Sequence, residues 1–163
     1  LEAVIKYVKS LPYVSDELIL QGSSQGGFVA ALTAVKHENL AKKLVLIYPA
    51  LCIPDDARAG NMRAGTFDPE NIPDEFDCEP MRLGRCYPEA VNKMNAIEEV
   101  SKYKGPVLLI HGTADDVVSI EYSKKAHEAF ENSELVIVEG GPHGFEPEHD
   151  VVAIEAIRNF INK

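Results

Sequence analysis

Five residues constrain this chain more than any other stretch: Gly22-Ser23-Ser24-Gln25-Gly26, set between the apolar run Leu18-Ile19-Leu20 and a helix-like stretch over residues 28–36. A central serine flanked by glycines between strand and helix describes a sharp turn that pushes the serine hydroxyl out above a sheet. Both flanks are expected to be glycine because strand and helix pass too close there for a Cβ. Ser24 is therefore the candidate nucleophile. The backbone N–H of Gln25 falls at the N-terminal end of the helix, where it can donate to a developing oxyanion. Ser23 stands one place off centre and reads as structural.

The rest of the chain supplies a sheet for this turn. Residues 1–11 carry Leu1, Val4, Ile5, Val8 and Leu11 at helical spacing, an amphipathic helix with one buried face that Pro12 ends. Leu18-Ile19-Leu20 is continuous rather than alternating, as expected of an interior parallel strand covered on both faces. After the helix behind Ser24, with Phe28, Ala31, Leu32 and Val35 on one side, residues 43–48 (KLVLIY) form a second strand, completing a right-handed βαβ unit. Residues 106–110 and 135–138 give a third and a fourth strand. Between them Ser119 caps a helix running to about residue 132. Val151, Val152, Ile154, Ile157, Phe160 and Ile161 mark a closing amphipathic helix. The fold class is α/β, a parallel sheet with flanking helices, its four strands ordered as in the chain.

Residues 51–100 break the pattern. Pro54, Pro69, Pro73, Pro80 and Pro88 and the acidic run Asp74-Glu75-Phe76-Asp77 describe an irregular excursion, longer than ordinary loops, with a helix over residues 88–100. Met62, Phe67, Ile72, Phe76, Met81, Leu83 and Tyr87 give it apolar side chains, so it is expected to be a lid or cap inserted between core segments 1–50 and 101–163.

A serine needs a base, and the base needs an acid to hold its tautomer. Asp115 lies just beyond the third strand and His143 just beyond the fourth, so both emerge with Ser24 at strand carboxyl ends, where open α/β sheets bind ligands. Asp116 is the alternative acid. Among the other histidines, His37, His127 and His149 lie on helices or their approaches, whereas His111 ends a strand and reads as a packed residue supporting the Asp loop.

Charge and cysteine content exclude other classes. A net charge of −10 and a pI near 4.9, with only the pairs Lys42-Lys43 and Lys124-Lys125, leave no basic patch for nucleic acid or an anionic membrane surface. No apolar run is long enough to span a bilayer. Cys52, Cys78 and Cys86 form no C-x-x-C pair, so no zinc site or disulfide framework is expected and a cytoplasmic location fits best; a bridge between Cys78 and Cys86 stays open on sequence distance. No metal or organic cofactor is expected.

Gly22-Ser-Ser-Gln-Gly-Gly27, His111-Gly-Thr-Ala-Asp-Asp-Val-Val118 and Gly141-Pro-His-Gly-Phe145 resemble the three active-site segments of the α/β-hydrolase superfamily, in its chain order of Ser, Asp and His. The insertion, with Phe67-Asp-Pro-Glu-Asn-Ile-Pro73 and Leu83-Gly84, is similar to the lid of bacterial cinnamoyl and feruloyl esterases. The resemblance implies Ser24 as nucleophile, Asp115 as orienting acid at the D-x-x-V position, His143 as base, Gln25 N–H as one oxyanion donor, and a lid that frames an aromatic acyl group. The expected function is a serine carboxylester hydrolase acting on a small-molecule ester, possible acyl groups including hydroxycinnamoyl. The alternatives are a prolyl-oligopeptidase-type peptidase and a non-catalytic fragment lacking the second oxyanion donor. Strands that precede the nucleophile in that superfamily have no counterpart here, so the chain is expected to be the C-terminal portion of the fold. The Leu18-Ile19-Leu20 strand would then lie at a sheet edge and invite self-association.

Overall fold

A computed structural model describes residues 1–15, 17–37, 40–63, 65–78 and 80–163. In chain order the elements are α1 (Glu2–Lys9), β1 (Ile19–Ser23), α2 (Gln25–Lys36), β2 (Lys43–Ile47), α3 (Ile53–Ala59), β3 (Asn61–Met62), β4 (Gly65–Thr66), β5 (Glu75–Cys78), β6 (Met81–Gly84), α4 (Cys86–Val91), α5 (Ala96–Val100), β7 (Val107–Gly112), α6 (Ile120–Ala129), β8 (Ser133–Val138) and α7 (Pro147–Ile161). They divide into two compact units, one of Leu1–Ala50 with Ile97–Lys163, the other Leu51–Ala96.

The larger unit is built on one parallel sheet in the order β1-β2-β7-β8, with flanking helices. Its two central strands explain why their sequences are apolar without alternation. Leu44, Val45 and Leu46 of β2 are fully buried, as is every residue of β7, because side chains on both faces meet helices. On one face Val45, Leu108, Ile110 and Val138 pack with Ala153 and Phe160 of α7. Burying each of the larger side chains contributes roughly 1.5–3 kcal/mol relative to exposure. The register aligns Ser23 with Ile47, Ile47 with Ile110 and Ile110 with Val136, and β7 and β8 run two residues further, to Gly112 and Val138, so the loops that follow all four strands lie at the same end of the sheet.

β1 has the apolar sequence of an interior strand but lies at the sheet edge, as expected from a sequence in which no strand is predicted before it. Among the described residues it pairs only with β2, Gln21 and Ser23 are exposed, and Ile19 is 41% exposed. α1 likewise buries only Ile5, with Leu1 and Val4 exposed. In α7, Ala153 and Phe160 are buried, whereas Val151, Val152, Ile154 and Ile161 are not, so the apolar stripe is wider than the face the sheet covers. Ser119 caps α6 as expected, its Oγ accepting from the Glu121 N–H.

The unit Leu51–Ala96 is more regular than its prolines suggest. Pro54 lies in the first turn of α3, where its missing N–H costs no helical bond, and Gly60 closes that helix with a left-handed φ of 69°. β3 pairs with β4 and β5 with β6, both antiparallel. Met62, Phe76, Cys78, Ile53 and Ala57 form buried surface within it, with the Phe67 and Phe76 rings 4.6 Å apart. The expected helix over residues 88–100 is two short helices, α4 and α5, separated at residues 92–95. There the carbonyls of Asn92 and Met94 accept from Arg58. The three cysteines are free thiols, Cys78 donating to the Met62 carbonyl. Among the described residues no helix is long and apolar enough to cross a membrane.

The outer edge of β1 generates a prediction, since among the described residues no strand pairs with it. Residues 1–163 in isolation are expected to self-associate through that edge, and Ile19→Lys, which places a charge on it, to shift the population toward monomer. Sedimentation velocity over a concentration series reads this directly; a monomer at every concentration contradicts it.

Candidate active site

Ser24 alone joins β1 to α2, with φ 51° and ψ −127°, a conformation that costs a residue with a side chain on the order of 1–3 kcal/mol. Backbone hydrogen bonds on both sides hold it there. Its N–H donates to the Ile47 carbonyl at 3.0 Å, and its own carbonyl accepts from Gly27, Phe28 and Ala50. The turn is thus clasped by the end of β2 and the residues after it. A Cβ on Gly22 would lie 2.2 Å from the Gly26 carbonyl oxygen, so glycine is compulsory there. The reason expected for the second flank does not hold, because a Cβ on Gly26 would meet nothing within 4 Å. The close approach falls one residue later, where Gly27 lies against Pro49 and a Cβ would stand 3.0 Å from the proline's.

The structure brings Ser24, His143 and Asp115 together. His143 Nε2 lies 3.0 Å from Ser24 Oγ, and its Nδ1 lies 2.8 Å from Asp115 Oδ2. With the carboxylate accepting at Nδ1–H, Nε2 is left to accept the serine proton. The loops carrying the two residues are in backbone contact. Thr113 N–H donates to Val138 O and Ala114 N–H to Gly141 O, and a Cβ on Gly112 would stand 1.9 Å from the Gly141 oxygen. Asp116 is exposed, and it is Asp115 whose carboxylate faces His143.

The Asp115 side chain is fully buried, whereas that of His143 retains 19% exposure. A buried carboxylate needs donors, and the loop supplies them: Oδ1 accepts from the N–H groups of Val117 and Val118 at 2.9 and 2.8 Å. His111 completes the surroundings. Its Nε2 lies 2.9 Å from the Val118 carbonyl, which can only accept, so that nitrogen carries the proton; it also lies 3.2 Å from Asp115 Oδ2. Nδ1 then accepts from Ser123 Oγ at 2.7 Å. Burial pulls the His111 pKa below its ordinary value, which keeps the ring neutral beneath the loop. The other histidines are elsewhere: His37 contacts Glu2, His127 bonds Ser133, and His149 lies in the first turn of α7.

Gln25 is the first residue of α2, so its backbone N–H belongs to the helix's N-terminal donors beside the Ser24 hydroxyl. Tyr48, which the sequence presents only as the last residue of a strand, belongs to the same rim. Its ring centroid is 4.8 Å from that of His143 and 4.9 Å from that of Phe145. The sole sequence signal was its position directly after β2, level with Ser24. As for metals, among the described residues only Glu146, Glu148 and His149 bring three possible ligand atoms together. The glutamates are exposed at a helix N-terminus, where carboxylates are ordinary partners of the dipole.

A family model described as the prolyl oligopeptidase family matches residues 1–163. The chain belongs to that family. Est1E from Butyrivibrio proteoclasticus superposes on this family member with a TM-score of 0.89 at 33% identity, covering 99% of this chain and 66% of that one. A second structure of Est1E, with ferulic acid bound, matches with the same score and identity over 99% and 65% of the two chains. The chain therefore spans just under two thirds of the length of the two Est1E structures. The esterase domain of a Rhodothermus marinus protein shares the fold at a TM-score of 0.69 and 20% identity, over 96% of this chain and 67% of that one. No curated protein matches the chain.

Two measurements test this account of the site. Gly22→Ala is expected to destabilise the protein and remove the turn, whereas Gly26→Ala, in open space within a helix, should leave stability unchanged or raise it by about 0.4–1 kcal/mol; thermal melts of both variants check this. The second concerns His111, whose folded pKa is depressed, so the unfolded chain binds the proton first on acidification. Its stabilising contribution is complete above the ordinary histidine value of 6.5 and is lost as pH falls from there toward the folded pKa. Urea unfolding at steps from pH 7.5 to 5 should show stability falling, by up to about 1.4 kcal/mol per pH unit from this group. The fall should be shallower in His111→Gln.

Proposed function

We propose that this protein hydrolyses carboxylic esters by acyl transfer through a Ser24–His143–Asp115 triad. Ser24 Oγ attacks the ester carbonyl as His143 Nε2 takes its proton, forming a tetrahedral oxyanion beside the Gln25 N–H. Asp115 holds the ring in the reactive tautomer and stabilises the imidazolium. Collapse expels the alcohol, which receives the proton from His143. Water, activated by the same histidine, then attacks the acyl-serine and releases the acid. The observation that carries the reading is the unbroken relay of 3.0 and 2.8 Å from the serine hydroxyl to a buried carboxylate.

Similarity to Est1E, a protein solved with ferulic acid bound, supports hydroxycinnamoyl esters as the substrate class. A peptidase reading is favoured by one observation, the family match over residues 1–163. Both reactions use the same relay and differ in the leaving group, an alkoxide or an amine. Methyl ferulate and a prolyl p-nitroanilide peptide assayed side by side separate them, and turnover of the peptide alone would replace the ester reading.

A fluorophosphonate probe followed by intact mass tests the nucleophile. Ser24→Ala is expected to abolish the adduct while Ser23→Ala retains it. Asp115→Asn should lower turnover on the order of 10⁴-fold, the cost of the wrong histidine tautomer, and Asp116→Asn should stay close to wild type. Labelling that survives Ser24→Ala overturns the assignment.

A further inference from the structure

Tyr48 has a backbone conformation that its sequence argues against. Its φ is 35°, in the left-handed region, although it carries a bulky ring and precedes Pro49, and a residue before proline is ordinarily driven to extended geometry. The surroundings hold it there. Its N–H donates to the Ile110 carbonyl of β7 at 2.7 Å, Pro49 is buried against Gly27, and Ala50 N–H donates to the Ser24 carbonyl. Strain of this kind persists only where neighbouring structure over-determines it, and it gathers where a side chain must be aimed.

The side chain is aimed at the relay. The ring lies against the His143 imidazole at a tilt of 54° and meets Phe145 edge-on at 89°. The phenol lies near enough to the Ser23 side chain and the Phe145 backbone for each to draw its pKa down. One residue therefore touches the segment just before the nucleophile and the segment just after the base. Burial, with Asp150 adding to it, raises the phenol's pKa, which keeps the hydroxyl protonated.

We propose that Tyr48 is a positioning residue for the acyl-transfer step. Its ring fixes the plane of the His143 imidazole, and its hydroxyl ties the nucleophile turn at Ser23 to the histidine loop at Phe145. Ser24 Oγ and His143 Nε2 come from strands at different positions in the sheet, 119 residues apart in sequence, and Tyr48 is the side chain that spans both loops. Ser23, structural by its place in the turn, acquires a defined partner. The inference rests on the hydrolase reading for its kinetic arm and on the His143–Asp115 hydrogen bond alone for its spectroscopic arm.

Tyr48→Phe keeps the ring and removes the tie; Tyr48→Leu removes both. With the full chain and an ester substrate, Tyr48→Phe is expected to lower kcat roughly 3- to 10-fold at unchanged KM, the scale of one hydrogen bond. Tyr48→Leu should lose about 10²-fold, the scale of a reacting group displaced by about 1 Å. Ser23→Ala should match Tyr48→Phe, and the double variant should be no slower than either single one. In proton NMR, the His143 Nδ1–H resonance should survive in Tyr48→Phe and broaden away in Tyr48→Leu as the ring loses its fixed plane. Effects of Tyr48→Phe and Ser23→Ala that multiply, or a Tyr48→Leu protein with wild-type resonance and kcat, overturn the proposal. If Tyr48→Leu does not fold, the Tyr48→Phe and Ser23→Ala cycle still decides it. If the wild type hydrolyses no ester, the hydrolase reading fails while the resonance still tests the imidazole.

Discussion

The rim of the sheet is organised by one buried carboxylate. A charged group removed from water costs several kcal/mol unless its lone pairs are met, and the Asp115 side chain is fully buried. Its own loop meets one oxygen with the Val117 and Val118 N–H groups, and His143 and His111 approach the other. That arrangement requires the loop after β7 to curl back on itself and the loop after β8 to lie beside it. The contact between Gly112 and Gly141, too close for a Cβ, is the backbone expression of this requirement. Once both loops are fixed, the imidazole has one remaining nitrogen and one place to point it.

The second constraint is the conformation of Ser24. A left-handed φ at a serine is unfavourable in isolation, and here it is offset by four backbone hydrogen bonds that reach β2, the residues after it and the first turn of α2. Stability elsewhere carries these local costs. The fully buried strands β2 and β7 provide it, so the strained residues sit at the ends of the best-packed elements. Tyr48 follows the same rule, directly after β2 and hydrogen-bonded to β7. Two strained non-glycine residues, Ser24 and Tyr48, thus flank His143 on a rigid frame.

Local pattern succeeded wherever burial was complete. The runs at 43–47 and 107–110 are apolar on both faces because both faces are covered, and their periodicity says so. It misled at α7, where four apolar residues beyond the buried face are exposed. It also misread residues 51–96, because proline counts as a breaker in the interior of an element but is compatible with a first helical turn. Pairing is a property of two segments, and a one-dimensional pattern contains only one of them.

By itself the sequence determined the turn at Ser24, the four parallel strands in chain order and the presence of a carboxylate and an imidazole beyond the third and fourth of them. Each of those follows from short-range physics: glycine where a Cβ cannot fit at Gly22, apolar runs where both faces are buried, and loop chemistry at strand ends. Only the tertiary structure decided that Asp115 rather than Asp116 faces His143, that His111 is a neutral support bonded to Ser123 and Val118, and that Gly27 rather than Gly26 meets Pro49. It alone gave Tyr48 a place beside the imidazole. Those are orientations of side chains between segments far apart in the chain, set by register and packing, and no window of sequence holds both partners.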